Sequence, residues 1–269
     1  LAGLWSAIVY ALATPWLGAP ALAGKFLINV HRDPYLAGYA FREFGAQALR
    51  TTHAFPLWNP YIYGGLPYVA AMHGDIFYPT FLLRMMMPTD IAMTVGFMLH
   101  VFLAGVFTYY FLRAWGLGFY PALIGGLAYM MGGPIASYVS PGHDGKLFVS
   151  ALTPLALWML IRGVRDGRMW AFGVLALTVG LGVLSPHPQL LQYMLLVSGA
   201  FALYLAFSSN DTDSQLPRKT ALTRLGFAAA AEAVGMLMGA VQYLPVMEYV
   251  PWSPRAGGKG YDYATSYSF

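Results

Sequence analysis

An uncharged run from residue 91 to 112, bracketed by Asp90 and Arg113, constrains this chain more than any other feature. A hydrocarbon core of about 30 Å takes roughly 20 helical residues to cross, and this run is long enough. Further apolar stretches follow at 119–139, 147–161, 169–184, 190–207 and 225–244, and an opening one covers 1–24, interrupted by Pro15 and Pro20. In lipid, backbone N–H and C=O groups must bond within their own segment, so such runs become helices. The expected fold class is all-α: a polytopic transmembrane helical bundle of about seven spans, with a long first extracytoplasmic loop carrying short interfacial helices. Links of a few residues make sequence-adjacent spans antiparallel; the exception is the polar stretch 208–224.

Composition narrows the function classes. The chain has 269 residues, 58% hydrophobic and 10% charged, and a mean hydropathy of +0.56, outside the range of ordinary soluble domains. Cysteine is absent, which excludes a disulfide frame and a thiolate metal site. The net charge of +4 comes from 15 cations against 11 anions. In a membrane protein such an excess reports topology, so no nucleic-acid partner is expected. Residue 1 is a leucine inside an apolar run with no basic region before it, and 261–269 stops in polar aromatic sequence. Neither a signal peptide nor a terminating feature is visible, so the chain reads as a segment of a longer protein. It reads as one transmembrane domain over 1–269, with an extracytoplasmic loop at 25–89, a helical bundle at 90–244, and the start of an extracytoplasmic segment at 245–269.

Within the long loop, 35–50 forms a helix with Phe41, Phe44 and Leu49 on one side. The stretch 78–87 reads as a helix lying in the interface, with Arg84 snorkelling to water. Orientation follows from cations in the short links. One alternating set holds Arg113, then Arg162, Arg165 and Arg168, then Arg218, Lys219 and Arg224; the other holds Lys146 alone. Seven against one directs the arginine-rich links to the cytoplasm.

That topology brings ionisable groups from several segments to the opposite face. They are His31, Arg32 and Asp33; His73 and Asp75; His143, Asp144 and Lys146; His187; and Glu248, Arg255 and Lys259. Arg32, Lys146, Arg255 and Lys259 suit a phosphate held by charge-assisted hydrogen bonds. Asp33 suits a base that takes a proton from an acceptor hydroxyl. Plainer readings stand beside these: histidine avoids membrane spans, basic residues at helix ends anchor to headgroups, and Asp144 caps the following helix. No cofactor is expected. The histidines lack the helical spacing of a zinc site, and a divalent cation between Asp33 and Asp75 is the one metal the carboxylates allow.

Two polar residues interrupt spans. Glu232 lies midway along 225–244, where a charge is costly and marks function or a buried hydrogen bond. His100 lies at the centre of 91–112, where helix packing is the expected job. Gly125, Gly126, Gly180 and Gly182 suit close helix crossing rather than a channel.

The loop sequences carry a resemblance. FPLWNPYIYGGLP at 55–67, with IFYP at 76–79, is similar to the first outer loop of YfhO-type bacterial membrane proteins of the GT-C (C-type) glycosyltransferase superfamily. GHDGK at 142–146, TPL at 153–155, HPQ at 187–189, and QYLP at 242–245 with Glu248 and SPR at 253–255 follow in the same order. The resemblance implies a multi-pass enzyme of the bacterial inner (cytoplasmic) membrane. Such an enzyme moves a sugar from a polyprenyl-phosphate carrier to an extracytoplasmic acceptor. It implies Asp33 as catalytic base, His143 and Lys146 beside the carrier phosphate, and His187 and Gln189 in the third outer loop. Arg32, His73, Asp75, Glu248 and Arg255 complete the expected substrate-binding set. Trp58, Asn59, Pro60 and the Gly64–Gly65 pair read as turn and anchor scaffold.

Two other functions fit the same residues. A non-catalytic transmembrane subunit would keep the scaffold and pack into a larger membrane complex, its partners being other subunits and membrane lipids. A transporter would show internal repeats or paired broken helices, and no convincing repeat is present.

Overall fold

The computed structural model describes residues 2–19, 38–62, 64–139, 143–208, 216–253 and 256. The run opened by Asp90 becomes α4 (Thr89–Trp115), 27 residues and about 40 Å long. It starts after Pro88, carries Asp90 in its first turn, where the helix dipole favours an acid, and stops at Gly116. Gly116 takes φ 110°, Leu117 N–H reaches back to the Leu112 carbonyl at 3.0 Å, and a side chain there would be strained. The helix therefore runs past the apolar run, to Trp115, before this cap ends it.

α1 (Ala2–Leu17) runs antiparallel to α4, with Gly3 against Tyr110 and Gly18 against Met98. α5 (Phe119–Met130) and α6 (Gly133–Val139) divide the expected single span 119–139. Pro134 cannot donate to the preceding turn, and Gly132 and Gly133 are weak helix formers, so the chain breaks there. α7 (Asp144–Leu160) begins before its apolar stretch and continues through one π-helical turn, Ile161–Arg165. α8 (Met169–Leu184) keeps the expected bounds. α9 (Pro188–Phe207) opens with Pro at its first position and the His187 side chain as cap, Nδ1 accepting from Leu190 N–H at 3.2 Å. α10 (Arg218–Met238) starts seven residues before the expected 225–244 and ends at Gly239, after which α11 (Ala240–Tyr249) sets off as a separate helix.

Among the described residues, four helical stretches are long and apolar enough to cross a membrane: Thr89–Trp115, Asp144–Arg165, Pro188–Phe207 and Arg218–Met238. Ala2–Leu17 and Met169–Leu184 are shorter apolar helices. Their outward side chains include Trp5, Leu12, Trp16, Leu196, Leu203 and Leu237, all exposed, as lipid contact requires. Burial from water cannot hold helices together in lipid, so close packing and ring contacts must. α4 and α7 run parallel, with Tyr110 stacked on Trp158 at 4.9 Å and His100 on Phe148 at 4.0 Å. Gly126 on α5 lies against the Gly105 carbonyl of α4 and the ring of Tyr10, and Gly180 on α8 against Met238 of α10, which is the close crossing expected of these glycines.

The two ends of the bundle differ chemically. At one end Arg165 donates to the Ala114 carbonyl at 2.5 Å, and Arg224 Nη1 to the Val164 and Arg165 carbonyls at 2.8 and 2.9 Å. These guanidinium groups satisfy the C-terminal carbonyls of α4 and α7 and oppose their negative dipole ends. Arg162 pairs with Asp166 at 2.8 Å beside them.

The other end is covered by the 38–88 segment. α2 (Ala40–Thr52) buries Phe41, which stacks on Tyr68 at 6.0 Å; Phe44 and Phe55 meet the edges of the same ring. A short hairpin pairs β1 (Trp58–Asn59) with β2 (Leu66–Pro67), two residues in each strand. Gly64 and Gly65 turn it at φ 78° and 123°, and the Trp58 indole lies where a Gly65 side chain would stand. Trp58, Asn59 and the two glycines thus shape this hairpin. The stretch 78–87 is not one interfacial helix. It is a 3₁₀ turn (Pro79–Leu82) followed by a single α turn, α3 (Leu83–Met86). Arg84 does not snorkel: it is 1% exposed, because a carboxylate inside the fold claims it.

Candidate functional site

α2 points Arg42 inward beside Phe41, where Gly45 and Ala46 leave room one turn on. Its Nε donates to Asp75 Oδ1 at 2.8 Å, and its Nη2 pairs with Asp144 Oδ2. Arg84 Nη1 reaches Asp75 Oδ1 at 2.9 Å and Oδ2 at 3.1 Å, and the Thr80 hydroxyl also donates to Oδ2. The Arg84 guanidinium lies 4.8 Å from the centre of the Phe81 ring. Two guanidinium groups and two carboxylates thus join α2, the loop at Asp75, α3 and the start of α7 in one formally neutral unit, buried except at Asp144, whose side chain is 21% exposed.

Burial opposes charge on Asp75, but Arg42, Arg84 and the Thr80 hydroxyl outweigh it and bring its pKa down to about 2. Burial likewise acts against the charge on Arg42, yet facing both carboxylates raises its pKa. Arg84, whose carboxylate partner among the described residues is Asp75, is pushed down by burial. At 2% exposure with both oxygens engaged, Asp75 offers nothing to a surface ligand, and a cation could bind it only by displacing guanidinium groups. Its expected role in substrate binding gives way to a structural one.

A second stacked group ties this unit to the bundle. Tyr78 meets His100 Nε2 at 2.8 Å, and His100 Nδ1 meets the Gly96 carbonyl at 2.7 Å. A carbonyl only accepts, so the proton sits on Nδ1 and the Tyr78 hydroxyl donates to Nε2. Phe148 of α7 stacks on both rings. His100 is a packing residue, as its place in the span suggested.

Beside the ion-pair unit, two turns from distant parts of the sequence lock together. The Ser185 hydroxyl donates to the Gly145 carbonyl at 2.9 Å, and a side chain on Gly145 would stand 3.2 Å from Pro186. This contact sets the N-termini of α7 and α9 side by side and brings His143, Lys146 and His187 into one electropositive group. Burial, then the nearby Lys146 and His143, lower the His187 pKa. The positive ends of two long helices add to that field, answered in part at α7 by the Asp144 carboxylate, which accepts from Gly145 N–H at 2.9 Å.

The other expected site residues are dispersed. His73 is exposed, with its ring 4.9 Å from Phe41, two residues from Asp75. Gln189 turns along α9 and donates to the Tyr193 hydroxyl at 3.1 Å. Glu248 is exposed on α11, which packs on α8 and α10. Arg32, Asp33 and Arg255, with His31 and Lys259, lie outside the described residues. Among the described residues no group of three His, Asp or Glu side chains is placed to hold a metal ion. Sequence reasoning did not single out Arg42, and it read Arg84 as snorkelling to water rather than as a partner of Asp75. Each stands three or four positions from small or buried residues (Gly45 and Ala46; Thr80 and Phe81), a helical spacing that marks an inward face. No protein-family model, no curated protein and no solved structure matches the chain.

Proposed function

We propose that the chain is part of a membrane glycosyltransferase that moves a sugar from a polyprenyl-phosphate carrier to an extracytoplasmic acceptor. In this reading α1, α4, α5–α6, α7, α8, α9 and α10 cross the bacterial cytoplasmic membrane, with the arginine-rich end inside. The observation that supports it best is the group formed by His143, Lys146 and His187 at the paired N-termini of α7 and α9. Lys146 and the two imidazoles hold the carrier phosphate as it departs. Asp33, the base that the resemblance implies, takes the proton from the acceptor hydroxyl; Asp75 and Asp144 are engaged in ion pairs with arginines. No cofactor is invoked.

The test is sugar transfer by the full-length protein in proteoliposomes, with a polyprenyl-phosphate sugar as donor. Asp33→Asn lowers transfer by about 100-fold or more, the contribution of a general base. Lys146→Ala lowers it by roughly 10- to 100-fold, one charge-assisted hydrogen bond. Transfer unchanged by both substitutions would remove the catalytic assignment.

A second reading, a non-catalytic subunit of a membrane complex, draws on the same ion-pair unit, which engages both Asp75 and Asp144 in structure. It predicts that a complex co-purifies with the chain and that Asp33→Asn leaves its activity intact.

A further inference from the structure

At the arginine-rich end, α8 and α10 start side by side and leave a groove of about 280 Å³ between them and the π-helical turn after α7. Its chemistry changes with depth. Lys219, Thr220, Thr223 and Arg224 come from the first two turns of α10, whereas Phe227 and the facing Phe172 lie further along their helices, ring centres 5.7 Å apart. Charge sits at the end of the bundle and apolar surface sits inward. Arg224 is fixed in place by its Nη1 bonds to two carbonyls, and it lies flat on the turn at Gly167, where a side chain would collide with Nη2. Nη2 makes no hydrogen bond among the described residues, and Lys219 is exposed with no ion pair among them. Neither helix start has a capping side chain, so their first amides add positive potential.

We propose that this groove binds the phosphodiester of an anionic phospholipid from the leaflet at this end. Lys219 and Arg224 Nη2 hold the phosphate, and the acyl chains leave along Phe172 and Phe227. A basic pocket between membrane helices, polar at its mouth and apolar below, matches a headgroup joined to its chains better than a free ion. The inference needs only that this end meets a leaflet, and it is independent of the transferase reading.

The test is thermal stabilisation and lipid retention of the purified protein in a neutral detergent, titrated separately with phosphatidylglycerol, phosphatidylcholine and inorganic phosphate. Phosphatidylglycerol binds more tightly than phosphatidylcholine, and millimolar phosphate alone does not stabilise. Lys219→Glu reverses one charge and weakens phosphatidylglycerol binding by about 25-fold, at about fivefold per unit charge. Arg113→Gln, an exposed cation at the same end that does not line the groove, changes it less than twofold. Equal retention of the two lipids, equal effects of the two substitutions, or stabilisation by phosphate matching that by phosphatidylglycerol would each overturn the proposal.

Discussion

Replacing Asp75 with asparagine tests whether the buried ion-pair unit holds the 38–88 segment on the bundle. The change keeps the side chain's size and one acceptor oxygen but removes the counter-charge of Arg84, which is 1% exposed. Two routes give its size. Asp75 titrates at about 2 against an ordinary 3.8, and that difference corresponds to about 2 kcal/mol held by the ionised form. A buried charge stripped of its partner costs about 3–5 kcal/mol. The expected loss is therefore about 2–5 kcal/mol, or a fall of roughly 5–15 °C in apparent Tm for a chain of this size. Thermal unfolding in detergent, for Asp75→Asn, Arg84→Met and the pair together, reads it. Because Arg84→Met removes the stranded cation, the double variant loses less than the two single losses added. Strict additivity, or a loss below about 0.5 kcal/mol for Asp75→Asn, would refute the reasoning.

Three further outcomes follow from the same geometry. The folded pKa of Asp75 lies below its unfolded value, so its stabilisation is complete above about pH 4 and fades as pH falls toward 2; Asp75→Asn flattens that part of the stability–pH curve, and an unchanged curve contradicts the pairing. Gly126→Ala places a methyl group 2.8 Å from the Gly105 carbonyl oxygen, and overpacking there costs about 1–3 kcal/mol, read as a lower apparent Tm; wild-type stability would mean α4 and α5 do not cross there. Burial and the cations Lys146 and His143 depress His187, so Lys146→Met raises its pKa, and inorganic phosphate raises it further, in an imidazole NMR titration; an unmoved His187 would separate the two turns.

Much of the fold was legible because lipid enforces a single rule on long apolar runs. The bounds of α8 followed directly, since Arg168 and Ser185 mark both ends. Helices that begin in polar sequence were harder. α7 starts at Asp144, an acid that the positive end of the helix favours, whereas α10 starts at Arg218 and Lys219 against that preference, carried past the apolar boundary by helix propensity. The break at Gly132–Pro134 was visible in residue type but hidden by the hydropathy around it. At the site, the approach of His143 and Lys146 to His187 followed from antiparallel spans. The engagement of Asp75 did not, because spacing can mark an inward face but cannot say which carboxylate two arginines from separate elements will share once α2 and α3 dock on α4.

In the proposed topology the arginine-rich end and the loop-covered end of the bundle lie on opposite sides of a membrane. The chain has no cysteine, so single cysteines at Leu57, exposed in the 38–88 segment, and at Arg113, exposed at the other end, can be labelled in a clean background. A membrane-impermeant maleimide on intact bacterial spheroplasts is predicted to modify Leu57→Cys at once and Arg113→Cys only after permeabilisation. Labelling of both from the same side would contradict the topology and the site built upon it.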